Sequence, residues 1–140
     1  MTEANVVIYD VIISNMCRVG KLIEAKELFY SLPTKGLQHD TRIYTTMING
    51  FCKAGMLNNA QLMFEEMVQK GITPDDHTFN IIVQAFLKSN DIHKALQYLN
   101  TMDERAVLRH AETVSIIMHM LADDYPNHES RDRLRNYFLK

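Results

Sequence analysis

The chain has 140 residues, of which 46% are hydrophobic and 23% are charged, and its formal net charge is -2. This composition suits a folded domain with one hydrophobic core of ordinary density. The near-neutral charge argues against gross electrostatic capture of duplex nucleic acid, although a local basic stripe fits inside a neutral total. No apolar run is long enough for a transmembrane helix, so we expect no membrane partner.

The cysteine count and the N-terminal residues both indicate the cellular compartment of the protein. Cys17 and Cys52 are too few for a disulfide framework or a structural zinc site, and we expect both in the core of a protein from a reducing compartment. The first ten residues, MTEANVVIYD, contain neither a signal-peptide core nor an Arg- and Ser-rich transit segment. We therefore expect that any organellar targeting sequence is absent from this chain. Residues 1–5 are assigned to an N-terminal extension.

The sequence repeats itself with a period of 35 residues. Superimposing residues 6–40 on residues 41–75 aligns identical residues at eleven places, for example Cys17 with Cys52 and Gly20 with Gly55. A frame one residue shorter destroys this agreement. The units are repeat 1 (6–40), repeat 2 (41–75), repeat 3 (76–110), the first helix of a partial repeat 4 (111–124), and a C-terminal segment (125–140).

Each unit is predicted to be a pair of antiparallel helices. Apolar residues recur at helical spacing on both sides of a break near Gly20, Gly55 and Asn90. Small residues recur at Ala25, Ala60 and Ala95, where two helices can approach closely, and Gly36 and Gly71 suit left-handed C-terminal caps. The prediction is an all-α, right-handed α-solenoid of helix-turn-helix repeats.

The C-terminal segment, residues 125–140, has two interpretations. Leu134, Tyr137 and Phe138 form an apolar stripe at helical spacing, which predicts a helix that caps the end of the stack. Arg131, Arg133 and Arg135 lie elsewhere on the same helix, which is also compatible with a basic tail that contacts RNA.

The middle unit reads YTTMINGFCKAGML and then MFEEMVQKGITPD. With the 35-residue period, the hairpin break and the terminal KGITPD, it closely resembles the pentatricopeptide repeat of plant organellar RNA-binding proteins. The uniform repeat length resembles the P-type subclass, including restorer-of-fertility-like members. The resemblance covers about residues 6–124 and implies a protein that binds single-stranded RNA in mitochondria or chloroplasts, where it acts in RNA processing, stability or translation.

The resemblance also implies which side chains read bases, with about one base per repeat. One reader lies in the first turn of each first helix, namely Asp10, Thr45, Asn80 and, in the partial unit, Ser115. Its partner is the last residue of the unit, namely Asp40, Asp75 and His110. The family's code favours guanine for Thr45 with Asp75 and a pyrimidine for Asn80, whereas Asp10 with Asp40 is atypical. On spacing alone, small polar residues that cap the first helical turn explain the same pattern.

Two further sets of contacts are implied for the RNA. The resemblance implies that Val7, Arg42 and His77 stack on bases. Glu112 occupies the same position in the partial fourth repeat and would repel phosphate. One cation per unit, Arg18, Lys53 and Lys88, ends each first helix, and Asp123 breaks this column in the fourth unit. The column matches phosphates along a single strand, and it is equally explained by the preference of basic residues for helix C-termini.

No motif for catalysis or a cofactor is present, and we predict a non-enzyme with no metal and no cofactor. His110-Ala111-Glu112 matches half of a zinc deaminase signature, but no PCxxC follows. The acidic pairs Glu65-Glu66 and Asp103-Glu104 are interpreted as solvated helix faces, and most of the nine methionines as core residues.

Two other functions stay open on the sequence. A protein-binding solenoid of the tetratricopeptide type is one alternative, although the absence of Trp, the 35-residue period and the polar first-turn series favour RNA. An inactive fragment of a longer repeat protein is the other. In that case, the exposed face of the first repeat is expected to bind upstream repeats or a second copy.

Overall fold

The computed structural model describes residues 3–139, so Met1, Thr2 and Lys140 of the predicted terminal segments lie outside the described residues. The described part of the chain contains helices and turns and no strand, which confirms the predicted all-α class. The α-helices are α1 (Glu3–Arg18), α2 (Leu22–Ser31), α3 (Thr41–Lys53), α4 (Leu57–Gln69), α5 (Asp76–Lys88), α6 (Ile92–Glu104), α7 (Ala111–Leu121) and α8 (His128–Phe138). A 3-10 helix, Leu32–Lys35, extends α2. No helix in this range is both long and apolar enough to cross a membrane.

The chain divides into two compact units, Met1–Pro74 and Asp75–Lys140. In the first unit, α1 packs on α2 and α3, and α3 packs on α4. In the second unit, α5 packs on α6 and α7, and α8 packs on both α6 and α7. Each unit therefore consists of two helical hairpins, and α1, α3, α5 and α7 are the first helices of those hairpins.

The predicted hairpin turns are present at Gly20, Gly55 and Asn90. All three residues have left-handed backbones, with φ of 84°, 75° and 60°. At each turn the next residue's N–H bonds the carbonyl five residues earlier, as Lys21 does to Met16 at 2.8 Å. This pattern satisfies carbonyls that the end of an α-helix leaves without a partner. Asparagine is the residue other than glycine that tolerates this conformation most readily, which explains its place in the third turn.

A second left-handed residue ends the second helix of each of the first three hairpins. Gly36 and Gly71 have φ of 77°, as the sequence predicts, and Ala106 occupies the same repeat position with φ of 55°. The amide of Val107 bonds the carbonyl of Met102 at 2.8 Å, so the cap geometry is retained without glycine. Alanine thus adopts a conformation here that its Cβ disfavours.

Small buried residues lie where the two helices of each hairpin meet. Ala25, Ala60 and Ala95 are completely buried, and Ser130 of α8 is buried at the same repeat position. Leu134 follows at the place of Phe29 and is also buried. The segment interpreted from sequence as a terminal cap or tail therefore forms the second helix of a fourth hairpin, in register with the others.

Gly50 sets the separation of α1 and α3. A Cβ atom at this position would lie 2.6 Å from Cys17 Sγ and 3.1 Å from Cys17 Cβ. Since both distances are shorter than ordinary van der Waals contact, a larger residue forces the helices apart. The sequence repeat does not reveal this contact, because the equivalent residue in repeat 1 is Asn15.

A polar and aromatic cluster joins α2, α3 and α4. The Glu66 carboxylate accepts hydrogen bonds from the hydroxyl groups of Tyr30 at 3.1 Å and Tyr44 at 2.8 Å. The His39 ring stacks on Phe29 with centroids 3.9 Å apart, and burial lowers the pKa of His39. Glu66 is half-buried, so beyond the solvated helix face expected from the sequence it also joins α2 and α3 to α4 through the two tyrosines.

Candidate nucleic-acid interface

The residues predicted to contact RNA lie on the first helices or immediately before them. Val7, Asp10, Arg18, Asp40, Arg42, Thr45 and Lys53 belong to the first unit, and Asp75, His77, Asn80, Lys88, His110 and Ser115 belong to the second. Most are exposed or half-buried, and Asn80 alone among those named here is buried. Thr45 and Asp75 belong to different units.

In the first unit, Asp10 lies at the junction of α1 and α3. Its carboxylate accepts a hydrogen bond from the Thr46 hydroxyl at 2.5 Å. Burial raises the pKa of Asp10, while the Thr46 bond and the charge of Arg42 act in the opposite direction. Asp40 is close enough to add a repulsive contribution to the same pKa. The structure therefore bonds Asp10 to Thr46, and the charges of Arg42 and Asp40 act on its carboxylate.

The predicted partner residues Asp40 and Asp75 are also helix N-caps. Asp40 accepts a hydrogen bond from the Ile43 amide at 2.9 Å, and Asp75 accepts one from the Thr78 amide at 3.0 Å. The Thr78 hydroxyl oxygen accepts a hydrogen bond from the Asp75 amide, and the two bonds together form a capping box. Capping occupies one carboxylate oxygen of each aspartate, and both residues remain exposed. The capping role and the base-reading role are therefore compatible at these positions.

Thr45 lies in the first turn of α3 and is half-buried. Its hydroxyl donates a hydrogen bond to the Thr41 carbonyl at 2.7 Å, one helical turn earlier. This contact fixes the direction of the side chain.

In the second unit, Asn80 is at the centre of a buried hydrogen-bond network, with 1% of its surface exposed. Its amide nitrogen donates to the carbonyls of Asp76 at 2.7 Å and Leu108 at 2.9 Å. Its amide oxygen accepts from the His110 amide at 2.8 Å and the Thr113 hydroxyl at 2.7 Å. Every donor of the side chain is in use, so a base that reads Asn80 has to replace one of these contacts.

His110 and His77 lie together beside Asn80. The His110 Nε2 atom is 2.7 Å from Asp76 Oδ2, and the His77 and His110 rings are 5.1 Å apart in an edge-to-face arrangement. The hydrogen bond to His110 is the main cause of a lowered pKa at Asp76. This small cluster is partly exposed and presents two planar rings to solvent.

Arg18 and Lys53 line a cavity of about 680 Å³ in the first unit. The cavity lies between α1 and α3, and Thr46, Asn49 and Gly50 form part of its wall. The Arg18 guanidinium bonds the Asn15 side chain at 3.1 Å and stays exposed. Two members of the predicted cation column therefore share one groove between successive first helices.

Lys88 lines the equivalent groove in the second unit, a cavity of about 450 Å³ between α5 and α7. Ser115 and His119 form part of its wall, and Glu112 lies on the same surface. The Lys88 Nζ atom is 3.9 Å from Glu112 Oε1, and both side chains are mostly exposed. This groove thus carries its own anion beside its cation.

Threonines on the neighbouring first helix form polar contacts that the sequence pattern does not indicate. Thr46 bonds Asp10, and Thr113 bonds Asn80 and accepts a hydrogen bond from Gln84 at 2.8 Å. They occupy different repeat positions, and Thr113 alone has a threonine at the equivalent position of another repeat, the buried Thr78. Thr113 is completely buried at the repeat position of Ile43. Buried polar side chains need hydrogen-bond partners, and Asn80 supplies one.

Among the residues that the structure describes, no three His, Cys, Asp or Glu side chains are arranged to hold a metal ion. His110, half of the partial deaminase signature, is paired with Asp76. The side chain of Glu112 faces Lys88.

Comparison with known families and structures gives a consistent result. The PPR repeat model matches residues 7–37, the PPR repeat family model residues 39–88, and a pentatricopeptide repeat-containing protein model residues 69–131. No curated protein matches the chain. The structure of the pentatricopeptide repeat protein PPR10 from maize superposes with a TM-score of 0.75 over 94% of this chain, at 21% identity.

Two further PPR10 structures are similar, one of the protein and one of its C256S/C430S/C449S variant, both in complex with an 18-nt psaJ RNA element. Each has a TM-score of 0.71 at 18% identity and covers 91% of this chain. The chain spans only 18% to 19% of the PPR10 chains, and at these identities the likeness establishes the fold. Because three models of one repeat family together match most of the sequence between residues 7 and 131, the chain belongs to the pentatricopeptide repeat family.

Proposed function

We propose that this protein binds single-stranded RNA along its first helices and reads about one base per repeat. The observation that carries the proposal is the equivalent groove in each unit, lined by Arg18 and Lys53 in one and by Lys88 in the other. A cation at a constant interval along successive helices suits the phosphates of an extended strand. PPR10, which shares the fold, is seen with RNA.

Short polar side chains beside these grooves are suited to meet base edges. They are held on rigid helices by backbone contacts, as the bond from Thr45 to the Thr41 carbonyl illustrates. The flanking Arg42 and His77 are exposed and planar, and both can stack on bases. Because the Asn80 amide is fully bonded, we expect a base at Asn80 to compete with these internal contacts.

We further propose that the chain acts as a clamp rather than as a catalyst, in RNA processing, stability or translation. The repeated 35-residue spacing supports membership of the P-type subclass. A location in mitochondria or chloroplasts follows from the resemblance to plant organellar proteins and needs imaging of the tagged full-length protein as its test.

The test is a titration of the protein with short single-stranded RNAs at several salt concentrations. Three cations in contact with phosphates predict a slope of about −2 for log K against log salt concentration. Lys53→Gln should make the slope less negative by about 0.7. Lys35→Gln, at an exposed lysine of the 3-10 helix, is the matched control and should leave the slope unchanged. Absence of binding, or equal slopes for all three proteins, contradicts the proposal.

A peptide-binding scaffold is the second candidate, and one observation favours it. Apolar Leu22, Ile23 and Met56 line the same cavity as the cations Arg18 and Lys53 and the anion Glu24, a combination that suits an amphipathic peptide with charged side chains. Such a peptide should compete with RNA for the groove. A protein that binds the peptide but no RNA assigns the groove to this second function.

A further inference from the structure

Within the first unit, α3 meets α1 through one stripe of residues. Ile43 and Met47 are completely buried, Thr46 bonds Asp10, and Gly50 lies against Cys17. We call the surface of a first helix at these repeat positions its leading face. The surface that α1 presents to this stripe, through Asp10, Ile13 and Cys17, is called the trailing face.

The second unit repeats the same interface. The leading face of α7 comprises Thr113, Ile117 and Met120, all of which are buried. The trailing face of α5 comprises Asn80, Val83 and Leu87, which are also buried, and Asn80 bonds Thr113. In both units a leading face thus packs on a trailing face, as the contact of α5 with α7 requires.

In the first unit the leading face of α1 is exposed, and in the second unit residues of the trailing face of α7 are exposed. On α1, the leading-face residues are Ile8, Val11 and Ile12, and they are 56%, 56% and 39% exposed. On α7, the trailing face includes Met118, which is 63% exposed, although Ile13 and Val83 at the same repeat position are completely buried. The interpretation of methionines as core residues is therefore wrong for Met118. The exposed Ile8, Val11 and Ile12 on α1, and the exposed Ser115 and Met118 on α7, thus occupy the repeat positions that form the two halves of the interface seen within each unit.

The second helices add complementary charges. In the first unit, Lys26 and Tyr30 of α2 share a cavity with Asn59 and Leu62 of α4. Arg131 and Arg135 of α8 occupy the same repeat positions as Lys26 and Tyr30, three repeats later, and both are partly exposed. Glu24 and Glu27 of α2 occupy the same repeat positions as Asn59 and Leu62, one repeat earlier, and both are exposed. Arg131 and Arg135 also pair with Asp132 at 3.2 Å and with Asp123 at 2.6 Å. A repeat junction would place these arginines, with their aspartate partners, opposite Glu24 and Glu27.

We propose that a second copy of this chain binds head to tail, with the trailing face of α7 and α8 on the leading face of α1 and α2. In this junction Met118 packs against Ile8, Val11 and Ile12, and the arginines of α8 face Glu24 and Glu27. The interface is heterologous, so each copy keeps one free face and the assembly grows with concentration. The inference does not depend on RNA binding.

Sedimentation velocity from about 1 to 500 µM tests the proposal. The wild type should move from the monomer mass of 16.2 kDa toward larger species. Ile8→Glu blocks the leading face and Met118→Glu blocks the trailing face, and each should weaken self-association at least about tenfold, because a charge is buried among apolar residues. Val11→Glu is a second leading-face variant. All three positions are exposed, and circular dichroism verifies folding.

Mixing the Ile8→Glu and Met118→Glu variants is the decisive experiment. Ile8→Glu keeps a trailing face and Met118→Glu keeps a leading face, so an equimolar mixture should form a dimer that stops at two chains. Glu24→Lys with Glu27→Lys should reduce wild-type association, and added salt should reduce it as well. A wild type that stays monomeric, a mixture that stays monomeric, or a Met118→Glu variant that associates like wild type overturns the proposal.

Discussion

Ala106 permits a direct test of the repeat register through protein stability. It adopts φ of 55° at the position where Gly36 and Gly71 have φ of 77°. A left-handed backbone costs an L-residue about 1–2 kcal/mol, whereas glycine avoids this cost. Glycine also raises the entropy of the unfolded chain, which offsets about 0.4–1 kcal/mol. Ala106→Gly should therefore increase the free energy of unfolding by about 0.5–1 kcal/mol, or raise the melting temperature by about 2–4 °C.

The reverse substitution at Gly71 is the matched control. A Cβ atom at Gly71 meets no other atom within 4 Å, so Gly71→Ala introduces the backbone cost without a steric clash. It should lower the free energy of unfolding by a similar amount. Urea unfolding followed by circular dichroism measures both variants against wild type. If Ala106→Gly destabilises the protein, or Gly71→Ala is neutral, then the left-handed caps do not control stability as argued.

Three further predictions concern the groove, the helix contact and the aromatic cluster. Glu112→Gln removes the anion beside Lys88 and should raise RNA affinity about two- to fivefold. The control is Glu129→Gln, which should leave RNA affinity unchanged because the Glu129 carboxylate pairs with Arg133 within α8. Gly50→Ala should lower the free energy of unfolding by about 1–2 kcal/mol, and adding Cys17→Ala should recover part of the loss, since the Cys17 sulfur is the atom met first. Because the folded-state pKa of His39 is below 6.5, the unfolded chain binds more protons, so stability falls as the pH drops through 6.5. His39→Phe keeps the ring stack and should flatten this dependence in urea unfolding at pH 5 and pH 7.5; equal curves for the two proteins contradict the assignment.

The fold was largely predictable because its signals are local and periodic. The breaks at Gly20, Gly55 and Asn90 and the small residues at Ala25 and Ala60 depend on backbone conformation and helix separation, which a 35-residue frame exposes directly. The register of α8 was hidden, since serine replaces alanine at position 130 and Pro126 interrupts the pattern before it.

The polar contacts were less predictable because they join helices distant in sequence. Glu66 resembles a solvated residue in sequence, yet tyrosines of α2 and α3 bond it, 36 and 22 residues away. Asn80 resembles an exposed reader, yet Thr113 and His110 complete its hydrogen bonds. Such contacts depend on the distance between helices, and the repeat pattern carries no information about which polar side chains meet there.

Base preference is the most direct test of the account. A set of short single-stranded RNAs that differ at one base should show a preference for guanine with wild type, and Thr45→Asn should shift this preference toward a pyrimidine. Thr101→Asn is the control, because Thr101 also bonds the carbonyl one turn earlier, at 3.1 Å, but lies on the second helix α6. Only Thr45→Asn should change the base preference. The same preference in all three proteins contradicts this prediction.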